Sequence, residues 1–557
     1  MRHGLVAAAV IGLAVVLAAA AGWKNSATTD EPYHVLAAWS HVVEGKGDLN
    51  PDKPPLAKLV SGLALAPLGL RGTEHPPVQR LAHLPDEVRR FLYGNTRSPE
   101  TILLAARLPQ LAFLVVLLAA TYRLGARLFG ESAGLLGLVA LAFQPLVLAH
   151  AFLVHTDVSA AATWMLTFVC FHRWLSGARR GWLWLGVSLG LAVATKFSSL
   201  LLIPCLLLLA ALAALLRGRA SVPPRWAAQL LGAFAVALGV LLAVYVPVLR
   251  ETPLEESRRT IHAHASQWPQ ASSAERALGR LAGVSRALAH YGTGLLHLRE
   301  TDRLGQSVNY FLGSTSRQGF ASYLPVAFLL KVSLPFLVLL LAAGVAKRRS
   351  WTFGDALLLI PCLLYLLASA GSSYNIGARH LLPLLPLLAI FGGQLARHGA
   401  RWLVAALAAA LALPAGLAFP HYLAHFSVLG GGSSRGARYL NDSNLDWGQD
   451  WRRLGDKARA AGWTPVHYVY IGTGDPSHDL PGGVDALAEQ GPPSPGVYAV
   501  SSFAEAVGAQ YLAQLGATYQ SGRLAALLGL LHARGERIGG VGTSLTVYRL
   551  GTGRPPG

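Results

Sequence analysis

Long apolar runs alternate with short polar breaks from residue 4 to residue 419. Eleven of them predict membrane-crossing helices: about 4–22, 103–121, 133–149, 157–175, 182–196, 199–216, 227–248, 325–343, 353–370, 380–395 and 402–419. Most approach the ~20 apolar residues that cover ~30 Å of hydrocarbon. The run at 182–196 is short. Two polar stretches interrupt the pattern. In the first, residues 24–100, the run Leu56–Leu70 is apolar but too short to span, which predicts a helix lying in the interface. The second, residues 250–324, is rich in Arg, His and Gln and reads as helical in part. Beyond about 420 the period changes. Strand-like runs at Val466–Ile471, Gly496–Ser501 and Ser544–Leu550 alternate with helix-like stretches near 449–461, 503–515 and 522–534. That is the pattern of a small α/β domain. The expected fold class is therefore a mainly α polytopic membrane protein over residues 1–419, with a soluble α/β domain over residues 420–557.

Composition supports the membrane reading. Of 557 residues 53% are hydrophobic and only 13% charged, about half the roughly 25% of soluble domains. So few charges cannot cover a soluble fold, and so many apolar residues exclude disorder. The formal charge of +19 could point to nucleic acid, but from His421 onward there are 11 Lys/Arg against 10 Asp/Glu. The excess lies among the apolar runs, so no nucleic-acid partner is expected. Arg123 and Arg127; Arg173, Arg179 and Arg180; Arg217, Arg219 and Arg225; Lys347, Arg348 and Arg349; and Arg397 and Arg401 occupy every second connection, with Glu131 the acid among them. This positive-inside pattern predicts a cytoplasmic N-terminus in an inner or plasma membrane. It places residues 24–100, 150–156, 250–324, 371–379 and 420–557 outside. The first run follows Arg2 and His3 and ends in small residues at Ala21, the outline of a signal peptide. Its apolar stretch is long for one, so an anchored helix is expected. Cys170, Cys205 and Cys362 lie inside apolar runs and read as packing residues.

Charged residues near a membrane are costly unless used. Here they gather at the outer ends of the runs: Asp30 and Glu31, Arg107, Asp157, Lys196, Arg379 and His380. A transporter more often places its charges near the midplane, in broken helices. Carboxylates and cations on the outer face imply chemistry on an anionic lipid headgroup.

Thr29–Leu59, with Asp30-Glu31 and then Lys53-Pro54-Pro55-Leu56-Ala57-Lys58, resembles the first outer loop of the dolichyl-phosphate-mannose protein mannosyltransferase superfamily. Further matches are AARLPQ at 105–110, HTDVS at 155–159, LLKVSLP at 329–335 and YNIGARHLLPLLP at 374–386. The stretch GGGSSRGARYLNDSNLDWGQDWRRL at 430–454 is similar to bacterial members. The resemblance implies a GT-C fold and an inverting transfer of a sugar from a polyprenyl-phosphate donor. For a bacterial source the implied carrier is undecaprenyl phosphate.

Within that frame Asp30 is the expected general base, since a hydroxyl is a poor nucleophile until a carboxylate takes its proton. Glu31 would orient the acceptor or keep Asp30 ionised. Asp before Pro32 is also a helix N-terminal signal, the bland alternative. Arg107, Lys196, Arg379 and His380 are expected to hold the donor phosphate, where fixed cations stabilise the leaving group; snorkelling at helix ends is their alternative. Asp157, Lys53 and Lys58 are candidates for substrate positioning, and helix capping is the equal alternative for Asp157. The superfamily carries His where this chain has Lys53, and Lys does not shuttle protons easily near neutral pH. His155 reads as an interfacial histidine and Lys331 as a snorkelling one. No obligatory metal is implied; a divalent cation among Asp30, Glu31, Asp157 and a histidine is the weaker option, without clean ligand spacing. The tail cluster Asp442, Asn444, Asp446, Trp447, Gln449 and Asp450 reads as a structural turn, with sugar binding as the alternative. Rival functions are an oligosaccharyltransferase or ligase with a pyrophosphate-linked donor, a lipid or solute transporter, and a non-catalytic scaffold. The residues do not name the sugar, whether the acceptor is protein, lipid or glycan, or the oligomeric state.

Overall fold

The computed structural model describes residues 2–216, 225–268, 270, 272–305, 308–348, 350–397 and 399–551. Arg217, Arg219 and Arg349 of the basic loops lie outside the described residues. Helices occupy all eleven stretches where spans were expected, but not as eleven straight rods. Among the described residues five are long and apolar enough to cross a membrane: Arg2–Gly22, Pro99–Phe129, Phe197–Leu216, Trp226–Val248 and Arg401–Ala418. Two bent pairs, Glu131–Ala142 with Pro145–Ala151 (66°) and Tyr323–Lys331 with Leu334–Lys347 (112°), raise the number to seven if each is one span. Gly181–Val193, Phe353–Ser369 and Leu385–Arg397 are shorter apolar helices. The 19-residue helix Asp157–Leu175 lies with most of its residues buried.

The bends have local causes. Gln144 precedes Pro145 and is extended, the conformation a following proline imposes, and Pro145 then opens the next helix. Val332 and Ser333 are extended, and Pro335 sits in the first turn after them. The 325–343 run is thus not a single straight span. Its break lets Lys331 turn inward: Nζ donates to the carbonyls of Leu423 (2.9 Å) and Asn444 (2.6 Å) and lies 4.3 Å from the centre of the Phe426 ring. Lys331 is buried, which overturns the snorkelling expectation.

In the first outer stretch, helices Glu31–Trp39 and Leu56–Leu65 cross closely. A Cβ on Gly62 would stand 2.2 Å from the Ala38 carbonyl oxygen, so only glycine permits this approach. The second stretch holds helices Leu254–Ala265, Ser272–Val284 and Arg286–Arg303, followed by a hairpin of β1 (Asn309–Phe311) and β2 (Ser314–Ser316).

The tail carries a five-stranded mixed sheet of β3 (Val466–Val469), β4 (Gly483–Asp485), β5 (Gly496–Ser501), β6 (Glu536–Val541) and β7 (Leu545–Leu550), in the order β4-β3-β5-β7-β6. β3 pairs in parallel with β4 and β5, whereas β7 is antiparallel to β5 and β6. β4 and β6 escaped the sequence pattern: one is three residues long, and the other reads Glu-Arg-Ile-Gly-Gly-Val. Both are edges, where apolar alternation is weakest. Helices Trp451–Ala461 and Thr518–Arg534 pack on the sheet. Tyr422, Phe426, Leu440, Leu445 and Trp447, by contrast, join the main core built by the membrane helices. The chain after 419 is therefore first a strap on the helical part; the sheet's own clusters begin at Trp451.

Lys331→Met should leave two buried carbonyls without a donor, at about 1–3 kcal/mol each. The expected outcome is a lowered thermal midpoint in detergent and faster proteolysis within 420–450; a wild-type digestion pattern would contradict the strap.

Candidate active site

The loop from Asn25 to Asp30 is held from both sides. Ser26 N donates to Gln449 O (3.0 Å) and Thr29 N to Trp447 O (2.8 Å), so the strap runs alongside it. Glu31, fully buried, accepts from Thr28 N (2.9 Å), from Val154 N (3.0 Å) and from both Nε (2.8 Å) and Nη2 (2.5 Å) of Arg107. The remaining reach of Arg107 goes to the carbonyls of Gly22, Asn25 and Ser26. Every donor nitrogen of Arg107 is engaged and the side chain is buried. Arg107 therefore braces the loop in this structure, with no donor left over for a phosphate. Likewise, Glu31 faces Arg107 and not an acceptor.

This clamp leaves Asp30 projecting. It occupies the N-cap position of the Glu31–Trp39 helix but makes no side-chain cap bond, so capping does not account for it. Its carboxylate is 37% exposed and lines a cavity of about 500 Å³. Arg379 Nη1 donates to Asp30 Oδ2 (3.2 Å) and approaches His155 Nε2 (2.7 Å), which is itself 3.3 Å from Asp30 Oδ2. His155 Nδ1 lies 2.7 Å from Asp157 Oδ2, and Lys196 Nζ reaches Asp157 Oδ1 at 2.5 Å. A continuous polar chain thus runs Asp30–His155–Asp157–Lys196, with Arg379 against its first three members. Burial alone would raise the Asp30 pKa; contact with His155 and the Arg379 charge outweigh it and hold the carboxyl well below its usual range.

Arg379 is positioned by its plane as well as its charge. Its guanidinium carbon stands 4.2 Å above the Trp447 ring, a cation–π contact. Asn444 Oδ1 accepts from Ala378 N (2.8 Å) and its Nδ2 bonds Tyr323 Oη (2.9 Å), so the strap fixes the turn that carries Arg379. Among the described residues, Arg379 Nε and the neighbouring His380 Nε2 are buried without a hydrogen-bond partner. These are unspent polar atoms beside the carboxylates, in contrast with Arg107.

The other expected residues divide. Lys53 pairs with Asp52 (2.5 Å) and keeps partial exposure. Lys58 is buried and spends three bonds on Asn50 O, Asn50 Oδ1 and Lys53 O. It shapes the 50–58 turn, and its three bonds are all spent there. Among the described residues no three His, Cys, Asp or Glu side chains are placed to share a metal ion; Glu31 faces Arg107, and Asp157 faces Lys196.

The tail contributes more than a turn. Asp442, Asp446 and Trp447 line the same cavity as Asp30, with Tyr470, Phe503 and Tyr511 from farther along. Asn444, Gln449 and Asp450 are spent inside the protein, Asp450 on Arg453 (2.8 Å) and Ser544 (2.6 Å). Burial pushes the carboxyls of Asp442 and Asp446 up to about 6. Sequence reasoning missed His155, which only its place in HTDVS could have flagged. It named Asp442 and Trp447 but favoured a structural turn for their cluster, and it missed Tyr470, Phe503 and Tyr511, which carry no local signal.

Residues 101–247 match the family model described as dolichyl-phosphate-mannose-protein mannosyltransferase. Glycosyl transfer is the activity this match supports. The matched stretch holds Arg107, His155, Asp157 and Lys196, so three members of the polar chain fall within it. No curated protein matches the chain in sequence. Among solved structures, ArnT from Cupriavidus metallidurans bound to undecaprenyl phosphate is similar at 15% identity, covering 98% of this chain and 98% of that one, with a TM-score of 0.48. The archaeal oligosaccharyltransferase AglB from Archaeoglobus fulgidus, in complex with an inhibitory peptide and a dolichol-phosphate, is similar at 14% identity, covering 99% of this chain and 75% of that one, with a TM-score of 0.47. Both likenesses are remote.

Glu31→Gln should leave the Arg107 charge buried and half-paired, at about 3–5 kcal/mol. A large drop in the thermal midpoint is expected, and a neutral effect would contradict the clamp. Asp446 has the opposite sign. Its folded pKa of about 6 exceeds the reference value of 3.8, so the folded protein keeps a proton that the unfolded chain has lost. Its contribution to stability therefore declines as pH rises between these values, and Asp446→Asn should flatten that slope in thermal melts across the window.

Proposed function

We propose that the protein is an inverting glycosyltransferase that moves a sugar from a polyprenyl-phosphate carrier to a hydroxyl acceptor, with Asp30 as general base. The observation that carries this reading is the placement of Asp30: a carboxylate on a cavity wall, free of its capping role, next to an arginine with donors to spare. The match to a mannosyltransferase family model supports the reaction class.

In this mechanism the acceptor oxygen attacks the anomeric carbon from the side opposite the carrier. Its proton passes to Asp30, the C–O bond to the phosphate breaks, and the electron pair leaves with the polyprenyl phosphate. One displacement inverts the anomeric centre. Negative charge grows on the leaving oxygen, and preorganised cations stabilise it most at that moment. Arg379, Lys196 and His380 are the groups for this, with Lys53 at the margin. Arg379 couples the two halves of the reaction. While it bonds Asp30, it holds the carboxylate weakly basic. Turning toward a phosphate, it releases Asp30 to take a proton. Asp157 and His155 keep the cations and the base in register, as positioning residues.

The same reading sets the topology. The N-terminus is cytoplasmic, the basic connections face the cytoplasm, and the catalytic cavity and the tail are extracytoplasmic in an inner or plasma membrane. Residues 1–419 with the strap form the transferase body, and the sheet domain closes it from outside.

Asp30→Asn should reduce transfer by about 10²–10⁴-fold while donor binding persists. Arg379→Gln and Lys196→Met should raise the apparent KM for donor and make it less salt-sensitive. Radiolabelled polyprenyl-phosphate sugars in proteoliposomes provide the assay; near-normal turnover of Asp30→Asn would overturn the base assignment.

A further inference from the structure

The cavity beyond Asp30 is built unlike a site for a lipid tail or an extended peptide. It lies between the helical body and the tail and, at about 500 Å³, is within the ~300–1,000 Å³ range of small-molecule sites. Tyr33 and Tyr374 come from the helical body, and Phe503 and Tyr511 from the tail. The Phe503 and Tyr511 rings meet edge to face, 5.6 Å apart at 76°. No hydrogen bond ties the hydroxyls of Tyr33, Tyr374 or Tyr511 to a described residue. Asp442 accepts a single bond, from Ser443 N at 2.5 Å through Oδ1, which leaves Oδ2 unspent. Asp446 is different, since the backbone N–H groups of Gly448 and Phe503 take both its oxygens.

Each occupant asks for different walls. A lipid chain needs an apolar wall, and here carboxylates and tyrosine hydroxyls break it. An extended peptide is best held by an open sheet edge. The cavity instead meets the 470–473 turn beyond β3, and β3 is internal, between β4 and β5. An anionic acceptor would meet Asp30, Asp442 and Asp446, and of the two arginines on the wall Arg379 already faces Asp30 and is assigned to the donor phosphate, which leaves only Arg89. A pyranose ring fits: its C–H face lies on an aromatic ring, and its hydroxyls donate to carboxylates and pair with phenols.

Resting on the transferase reading above, we propose that this cavity is a saccharide subsite. The acceptor hydroxyl then belongs to an uncharged or amino-substituted pyranose of a glycan, stacked on Tyr511 and hydrogen-bonded to Asp442.

Binding can be read without turnover. Full-length protein in nanodiscs is presented with methyl pyranosides, N-acetylglucosamine and glucosamine oligomers, and Ser/Thr-containing hexapeptides, and contact is followed by saturation-transfer difference NMR. At least one saccharide should give signal from its ring protons, and the peptides none. Tyr511→Ala and Asp442→Asn should each weaken saccharide binding about fivefold or more at an unchanged thermal midpoint. Tyr511→Leu, which removes the ring but keeps an apolar side chain, takes its place if the alanine variant does not fold. Peptide signal without saccharide signal, no saccharide signal at all, or saccharide binding indifferent to these variants would each overturn the proposal. Saccharide binding that the variants weaken, with no transfer from any carrier-linked sugar, would overturn the transferase reading and leave the subsite standing.

Discussion

The arrangement depends on one buried ion pair. Glu31 has no solvent-exposed surface, and its partner Arg107 is nearly as deep. Two charges taken out of water are tolerable only when every remaining donor and acceptor is satisfied. That requirement is met by drawing in the surrounding backbone: Thr28 and Val154 N–H groups on the acid side, and three carbonyls from Gly22 to Ser26 on the base side. Three separate stretches of chain are locked together as a result. Asp30 is the residue next to the locked acid, and His155 the residue next to the locked Val154. Their closeness follows from this pair.

Around that clamp the charges are graded by what they have left to give. Arg107 and Lys58 are saturated by the protein. Asp157 is held by Lys196. Arg379 shares one nitrogen between Asp30 and His155, leans on Trp447, and keeps a buried Nε uncommitted. A group with spare donors in a water-poor site is where a new anion gains most, because the desolvation cost has already been met in folding. The same grading separates Arg107 from Arg379, which are equally prominent in the sequence.

The tail acts on the site through the strap. Residues 422–447 enter the main hydrophobic core, Lys331 ties two of their carbonyls, and Asn444 holds the Ala378 turn. The tail is thereby part of the cavity wall and not an appendage. Tyr470, Phe503 and Tyr511 from the tail line the same cavity as Asp30.

Periodicity alone determined the helical body, the position of each apolar helix and the α/β character of the tail, because burial in lipid or in a core must be written into every residue of an element. It also pointed to Asp30, Arg379, Lys196 and Asp157, since charge at the edge of an apolar run has few structural excuses. It did not determine whether a run was straight: the hydrophobic pattern continues unchanged across the 112° break after Lys331. Nor did it separate Arg107 from Arg379, or reveal His155, Asp442 and Tyr511 as neighbours of Asp30. Those distinctions depend on partners more than 75 residues away in the chain. Only the tertiary structure decides which donors are spent and which remain, because hydrogen-bond satisfaction is a property of the space around a side chain and leaves no trace in its local sequence.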